Sequence, residues 1–272
     1  MKQINLSNAL EQIFSQQDSG IICGGDSTIR KAIRQCDNTA ASEMTCSAYE
    51  SDGCIIIEDK YDSTLIYVVC PASNLPDYLA AANKVKKDDY EIDLCVSGSL
   101  TPELDQLWGW LNFGRHGDQI TDSPFKCSID GVAIRRLELG DKDALTSFCK
   151  VPDESRYAAD IYDTFLYFAD RFAASDNLPV LLGAWDGGKL LGVVSVNHYE
   201  LGRFHRPIAR IEEIVVHPDF RRRGIGRVLC KAALSVYPNS WYFYTCHKRN
   251  ENSAATARSA GFTLVGAMLC MD

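Results

Sequence analysis

Residues 209–238 place a strand, a basic glycine-rich loop and a helix in immediate succession, and this order restricts the possible folds more than any other part of the chain. The strand is predicted by β-branched residues in an apolar run, Ile211, Ile214, Val215 and Val216. It ends before Pro218, which lacks the N–H group that a sheet requires. The helix is predicted by apolar residues at helical spacing, Leu229, Ala232, Ala233 and Val236. Pro238 ends that pattern.

The loop between these elements, residues 221–227, has the composition of an anion site. Backbone N–H groups in the first turn of a helix lack partners and lie at the positive end of the helix dipole. Gly224 and Gly226 let the backbone approach a ligand without a Cβ atom in the way. The alternative is an arginine-rich turn that contacts only solvent. A Walker phosphate loop is excluded because its Lys-Ser/Thr is missing, and Leu229 replaces the third glycine of a dinucleotide fingerprint.

The spacing R-x-x-G-x-G, formed by Arg221, Gly224 and Gly226, follows a strand that ends in Val-Val-His-Pro. In this strand–loop–helix setting the segment resembles the signature of the GNAT acyltransferase superfamily. The resemblance covers about residues 130–272. It implies that the loop holds the pyrophosphate of acetyl-coenzyme A, which is a cosubstrate in that family.

The order of predicted elements after residue 126 is β, α, α, β, β, β, α, β, α, β, which is the order of a GNAT domain. The resemblance therefore implies an α/β (α+β) fold with a mixed, mostly antiparallel central sheet flanked by helices. A polar, turn-rich stretch at residues 115–126 predicts two domains, residues 1–125 and residues 126–272. We expect residues from about 126 onward to fold alone and to bind acetyl-coenzyme A.

The N-terminal half is predicted to be a smaller α/β domain. Its order of strand, helix, strand and helix over residues 65–111, with the last helix at residues 101–111, repeats the order of residues 211–261. We therefore interpret it as a reduced GNAT-like domain. It has no R-x-x-G-x-G after its second strand, so we expect that it does not bind coenzyme A in the same manner.

The resemblance implies which residues contact acetyl-coenzyme A. Backbone groups of the strand end are implied to contact the acetyl group and the pantetheine, although their side chains are equally suited to plain core packing. The loop is implied to surround the pyrophosphate, and an N-x-x-S segment before Gly261-Phe262 is implied to contact the pantetheine or to cap a helix. The residues are Ile214, Val215, Val216, Arg221, Arg222, Arg223, Gly224, Ile225, Gly226, Arg227, Asn250 and Ser253. An N–H group near Val216 is implied to polarise the thioester carbonyl.

The sequence departs from the family pattern at the acid that protonates the leaving thiolate. Many members of the family carry a tyrosine four residues before the glycine of the Gly-Phe pair, whereas this sequence has Ala257 there. We predict Tyr244 as the substitute. Cys246, His247 and solvent are the alternatives.

Direct transfer requires a neutral amine, so a base or a water chain must take a proton from it. Glu212 and Glu213 lie on the strand beside the implied acetyl site, and strand alternation predicts that they point to opposite faces. We favour Glu213 as the catalytic base because Glu212 shares a face with Ile214 and Val216. A structural carboxylate is the alternative for both.

Other catalytic classes have less support. An acyl-enzyme on Cys246 would need a base, and none is evident beside it in the sequence. His217 precedes a proline at the strand end, which favours a role in the turn. His198, Glu200 and His205 lack the spacing of a zinc site, so no metal site is predicted.

The composition restricts partners and compartment. The formal net charge of −8 disfavours nucleic acid and mildly favours a cationic acceptor. Acidic residues of a helix predicted at residues 153–174 would suit a cationic amine, and the alternative is an acidic face that contacts only solvent. That helix and the loop at residues 200–207 are implied to flank the acceptor cleft. Eleven cysteines, an odd number without C-x-x-C, fit free thiols in a reducing cytoplasm. No apolar run approaches the ~18 residues of a membrane span, and the N-terminus lacks an apolar signal region.

The leading functional hypothesis is an acetyl-coenzyme A-dependent N-acetyltransferase that acts on a primary amine, either a small molecule or a peptide, by direct attack in a ternary complex. The alternative is a GNAT-fold module that binds acyl-coenzyme A as a sensor with weak or no catalysis, which Ala257 motivates. The family resemblance is compatible with a homodimer.

Overall fold

The computed structural model describes residues 1–15, 27–37, 45–51, 54–59, 65–71, 80, 82–84, 91–116, 125, 127–153, 158–171, 179–199 and 207–271. In the first half the elements are β1 Lys2–Ile4, α1 Leu6–Ser15, α2 Ser27–Asp37, β2 Cys46–Ser51, β3 Cys54–Asp59, β4 Leu65–Pro71, β5 Glu91–Ser97 and, after a 3-10 turn at Leu104–Gln106, β6 Trp108–His116.

The second half contains β7 Val132–Arg136, α3 Lys142–Cys149, α4 Ala158–Arg171, β8 Val180–Asp186, β9 Lys189–Tyr199, β10 Ile208–Val216, α5 Ile225–Ala233, β11 Trp241–His247, α6 Glu251–Ser259 and β12 Thr263–Met271. The predicted element order after residue 126 is therefore confirmed. The predicted loop at residues 200–207 lies outside the described residues except for Pro207. Of the helix predicted at residues 153–174, residues 154–157 and 172–174 also lie outside them.

The twelve strands form one sheet in the order β1-β2-β3-β4-β5-β12-β6-β11-β10-β9-β8-β7. Neighbouring strands run antiparallel except for the pairs β4–β5 and β10–β11, which run parallel. Helices cover the sheet, so the predicted fold class, a mixed and mostly antiparallel sheet flanked by helices, is confirmed.

Two strands, β6 and β12, pair with strands from the other half of the chain. β6, from the first half, lies between β11 and β12 and pairs with both over most of its length. β12, the last strand, lies between β6 and β5. Each half thus contributes its final strand to the sheet of the other half, and the central β6–β12 pair joins them.

The helix predicted at residues 101–111 is wrong, because the chain there forms the short 3-10 turn and then enters β6. Trp108 and Trp110 favour strands, and pairing with two neighbouring strands outweighs the local preference for a helix. Gly109 is required for this pairing. A Cβ atom at that position would collide with the carbonyl oxygen of Met268 in β12.

The two halves have the same order of strands, and their parallel pairs differ in one respect. β4 and β5 pair along their whole length, from Leu65 with Glu91 to Pro71 with Ser97. β10 and β11 pair only from Ile208 with Trp241 to Ile211 with Tyr244. The first half therefore has a closed parallel pair where the second half has an open one. The domain division at residues 125 and 126 stays a prediction.

The two faces of the sheet carry different helices, and we call the face that carries α1–α4 the front face. Trp241 and Phe243 pack there against α1 and α2, and Val193 and Val215 pack there against α3 and α4. On the back face, α5 and α6 pack against side chains that include Tyr244. Helices of the first half thus cover strands of the second half.

We expect a fragment of residues 126–272 to aggregate, because removal of β6 leaves β11 and β12 without the strand between them and exposes their edges. Co-expression with a fragment of residues 1–125 should give a soluble complex, since β6 is then supplied by a separate chain. Size-exclusion chromatography and circular dichroism of both preparations check this. A soluble, folded and monomeric 126–272 fragment would contradict the structural role of β6 and would support the expectation from the sequence.

Candidate functional site

The site begins where β10 and β11 stop pairing. After Ile211 and Tyr244, β10 continues to Val216 and β11 continues to His247, and no register between them is formed over these described residues. On its other side β10 stays paired with β9 as far as Val216 with Gly192. The register of that pairing shifts between Ile211 and Ile214, so a β-bulge bends β10 away from β11. The result is a gap inside the sheet.

The edge of β10 along this gap offers backbone groups. The N–H of His217 donates to the carbonyl of Leu191 on the β9 side at 2.9 Å. Because backbone groups alternate along a strand, the N–H and C=O of Val216 lie on the opposite side, toward the gap. The carbonyl of Val216 accepts from Nε of Arg221 there, at 3.1 Å, while the N–H of the same residue faces the opening.

The loop after β10 turns sharply into the N-terminus of α5. Arg222 and Gly224 have left-handed backbone conformations, with φ of 61° and 83°. Gly224 is the N-cap of α5, and its carbonyl accepts from the N–H of Val228 at 3.1 Å. The N–H groups that precede Val228 in the helix are therefore the ones without a partner inside it. A Cβ atom at Gly226 would approach Thr256 to 3.3 Å, so glycine allows α5 to lie close to α6.

The arginines of this loop divide into two groups. Arg221 is engaged within the protein, because Nη2 pairs with Asp153 and Nε donates to Val216. Asp153 also accepts from the hydroxyl of Tyr162 in α4 at 3.0 Å. Arg222, Arg223 and Arg227 are exposed beside the helix N-terminus. The structure thus ties Arg221 to the front-face helices and leaves the other three arginines accessible to an anion.

Glu213 lies in the bulge and is mostly buried. Burial raises the pKa of Glu213 to about 7; Arg210 opposes this shift, and Glu212 and Asp160 add to it. The backbone N–H of Glu213 donates to the buried hydroxyl of Ser195 at 3.0 Å. Asp160 belongs to α4, so the carboxylate of Glu213 faces the front of the sheet. A carboxylate with this pKa can take a proton near neutral pH.

The carboxylate of Glu212, in contrast, is held by hydrogen bonds within the protein. It accepts hydrogen bonds from the hydroxyl of Tyr199 and from Nδ2 of Asn197, the latter at 3.1 Å. Simple strand alternation does not describe Glu212 and Glu213, because both residues lie within the register shift. The preference for Glu213 as the base stays a prediction, and the bulge, not alternation, gives the two carboxylates their different surroundings.

Tyr244 is the last residue of β11 that pairs with β10, and it is fully buried on the back face. Its hydroxyl lies 2.7 Å from Oγ of Ser253, in the first turn of α6. Burial holds the pKa of Tyr244 well above its usual range and raises the pKa of Cys246 to about 11. Both groups therefore stay protonated at neutral pH.

The start of α6 is capped from within. The side chain of Asn250 accepts from the N–H of Ser253 at 3.1 Å, which is the N-cap role considered from the sequence. Ala257, one turn further along α6, is completely buried. His217 also has a turn role, since its Nδ1 accepts from the N–H of Asp219 at 3.2 Å.

The structure adds residues that sequence patterns did not indicate. Asp153 and Ser195 hold the loop and the bulge through the contacts given above, and both depend on tertiary neighbours that no spacing reveals. Among the described residues no group of three or more His, Cys, Asp and Glu side chains is arranged to hold a metal ion. None of the described helices has both the length and the apolar composition to cross a membrane.

Part of this chain is similar to a known protein family. Residues 144–262 match the model of the Acetyltransferase (GNAT) family. Two curated relatives, the mycothiol acetyltransferases of Mycobacterium sp. strains JLS and MCS, are each 40% identical over 62 residues, which make up 22% of this chain and 19% of theirs. The chain thus aligns with about a fifth of the length of the curated relatives that it matches.

Two solved structures resemble the whole chain. A GNAT-family acetyltransferase from Colwellia psychrerythraea is 12% identical, with a TM-score of 0.50, and the similarity covers 99% of this chain and 97% of that one. A protein from Drosophila is 11% identical, also with a TM-score of 0.50, over 100% and 98% of the two chains. These similarities concern the fold and include both halves. Residues 144–262, a little under half of the chain, are thus similar in sequence to the Acetyltransferase (GNAT) family, and the whole chain is similar in fold to these two structures.

Proposed function

We propose that this protein transfers an acetyl group from acetyl-coenzyme A to a primary amine by direct attack in a ternary complex. The observation that carries the proposal is the coincidence of three features around one gap. These are an anion-binding loop at a helix N-terminus, an open strand edge at Val216, and a carboxylate with a pKa near 7 at Glu213.

The loop fits the diphosphate of coenzyme A. The N–H groups of Ile225, Gly226 and Arg227 lie in the first turn of α5. Among the described residues, only Ile129 comes within 4 Å of the position that a Cβ atom on Gly224 would occupy, at 3.9 Å. Arg222, Arg223 and Arg227 supply positive charge, and hydrogen bonds from ionised donors to phosphate are the stronger kind. In this proposal Arg221 holds the loop through Asp153 and Val216 and does not contact phosphate itself.

The gap fits the pantetheine and the thioester. Ile214, Val215 and Val216 form the β10 side of the gap, while Asn250 and Ser253 stand where β11 passes into α6. The N–H of Val216 would donate to the thioester oxygen, where negative charge develops as the amine attacks. Glu213, on the front face, would take the proton from the amine so that its lone pair forms the C–N bond.

Departure of the thiolate requires a proton at the sulfur. The hydroxyls of Tyr244 and Ser253 form a buried donor pair that remains protonated at neutral pH. We propose that this pair donates a proton to the sulfur as the C–S bond breaks. Glu213 then releases the proton of the amine to solvent, and the hydroxyl pair takes a proton from solvent. Free thiols have a pKa near ~8.5, so solvent can also protonate the thiolate.

A binding module without catalysis is the second candidate, and Ala257 at the usual tyrosine position is the observation that favours it. The two functions separate in one experiment. Release of coenzyme A thiol is measured with a panel of primary amines, and coenzyme A binding is measured by titration calorimetry. Binding without turnover of any amine would favour the module.

We expect Gly224→Asp to abolish coenzyme A binding in a folded protein, because a carboxylate would occupy the pyrophosphate position. A side chain at φ of 83° costs about 1 kcal/mol of stability in addition. Gly187→Asp is the matched control, since Gly187 also has a positive φ, 56°, and open space around it. Titration calorimetry compares the two variants, and unchanged affinity in Gly224→Asp would remove the loop from the site.

We expect Glu213→Gln to lower kcat/KM by about 10²-fold and to abolish the rise of the rate with pH around pH 7. The carboxyl binds its proton more tightly when folded than when unfolded, so its stabilising contribution is complete below about pH 4.5 and is lost as pH rises through 7. Glu213→Gln should therefore raise the free energy of unfolding at pH 8, by up to about 3 kcal/mol.

The control for this prediction is Glu212→Gln, which weakens the hydrogen bonds from Tyr199 and Asn197. That variant should lose stability and keep a rise of the rate with pH, shifted to lower pH because the charge of Glu212 no longer raises the pKa of Glu213. Urea denaturation at pH 5 and pH 8 and pH–rate profiles of both variants provide the data. An unchanged acidic limb in Glu213→Gln would exclude Glu213 as the base.

We expect Tyr244→Phe to lower kcat by about 10²-fold with coenzyme A affinity unchanged, which is the pattern of an interaction made in the transition state. Tyr242→Phe is the matched control, because Tyr242 lies two residues before Tyr244 on the same face of β11. This substitution also removes a buried hydroxyl, one that accepts from the N–H of Tyr237. Steady-state kinetics decide between the possibilities. A change of less than threefold for Tyr244→Phe would mean that solvent protonates the thiolate.

A further inference from the structure

Three aromatic side chains form a cluster where β6 and β11 meet. The ring centroids of Trp108 and Trp110 are 4.4 Å apart in an edge-to-face arrangement, and Trp108 lies 5.4 Å from His247. Trp108 is 50% exposed, which is unusual for the largest apolar side chain. We call Trp108, Trp110 and His247 the aromatic wall.

The aromatic wall is held rigidly by the second half of the chain. The ammonium of Lys248 donates to the carbonyl oxygens of Leu104, Asp105 and Leu107, which precede Trp108. The backbone N–H of Lys248 donates to the carbonyl of Gly109 at 3.1 Å. These bonds fix the chain on both sides of Trp108, so the exposed ring is positioned before any ligand arrives.

The aromatic wall lies on the front face, at the same level as the gap. His247 lies four residues after Phe243 on β11, so both side chains lie on the face that carries α1 and α2. Trp110 pairs with His247 and therefore lies on the same face. His247 comes three residues after Tyr244, and Val215 comes four residues after Ile211, one of which is taken up by the bulge. Val215, His247 and Trp110 thus form one row across the front face of the sheet. Two strand spacings, about 10 Å before the gap widens them, separate the ends of the row.

We propose that the aromatic wall binds the flat apolar body of the acceptor, so that the favoured substrate is a primary amine attached through a short linker to an aromatic ring. This proposal rests on the proposed function and specifies its acceptor. The amine would lie between Glu213 and Val216, and the ring would contact Trp108 and Trp110 across the gap.

The chemistry of both ends supports this acceptor. Glu213 and Asp160 lie at one end of the row and suit an ammonium group, while the aromatic wall at the other end offers ring surfaces and no carboxylate of its own. Aromatic pairs gain about 0.5–1.5 kcal/mol beyond the burial of their area, which is up to about tenfold in affinity. An aliphatic amine with the same ammonium would lack this gain. The first half of the chain would then select the substrate for the catalytic half, because Trp108 and Trp110 belong to β6.

The test compares phenethylamine with butylamine as acceptors. In the unaltered protein we expect kcat/KM for phenethylamine to exceed that for butylamine by about tenfold or more. Trp108→Ala should reduce this ratio to near one, chiefly through the KM of phenethylamine, and Trp108→Phe should restore much of it. Leu139→Ala, which removes another exposed apolar side chain from a different part of the chain, is the control that should leave the ratio unchanged.

Direct binding separates failure of this inference from failure of the proposed function. Phenethylamine is titrated by calorimetry into the protein saturated with coenzyme A, for the unaltered chain and for Trp108→Ala, after thermal unfolding has shown that both are folded. Weaker binding in Trp108→Ala by about tenfold supports the aromatic wall even if no amine is acetylated. Equal binding in both proteins, no binding in either, or a ratio unaffected by Trp108→Ala overturns it.

Discussion

The early end of pairing between β10 and β11 is the constraint on which the rest of the site depends. A parallel pair normally satisfies the backbone groups of both strands, and the bulge at Glu212 and Glu213 interrupts that pairing after Ile211. The same bulge places the carboxyl of Glu213 in mostly buried surroundings, and it directs the backbone N–H and C=O of Val216 into the gap. Strand geometry, carboxylate chemistry and backbone donors are therefore consequences of a single irregularity, and the glycine-rich loop follows directly after it.

The exchange of β6 and β12 explains why the chain needs both halves. β6 pairs with β11 on the side away from the gap and so supports that wall of it, and α1 and α2 cover Trp241 and Phe243 of the second half. The first half has the same order of strands, yet its β4–β5 pair is closed from Leu65 to Pro71. It therefore has no gap at that position in its described residues, while its last strand supports the other half.

The sequence predicted the features that depend on local chemistry. Glycines at the helix start, the apolar run of β10 and the N-cap at Asn250 all act through neighbours within a few residues, and the structure has each of them. It did not predict features set by distant partners. The region around Trp108 carries a local helix signal that pairing with β11 and β12 overrides, and the engagement of Arg221 depends on Asp153, 68 residues away.

The buried carboxylate of Glu213 lowers the stability of the folded protein. Burial raises the pKa of this carboxyl because its ionised form loses hydration, and the nearby charges of Glu212 and Asp160 add to that cost. Among the charged groups of the described residues that act on it, Arg210 alone opposes the shift. A carboxylate that is unfavourable for folding is well suited to accept a proton at neutral pH, and a stabilising substitution at this position would remove that property. The exchanged strands and the cores on both faces supply the rigidity that keeps this unfavourable group in place, which connects the two-half architecture to the chemistry of one side chain.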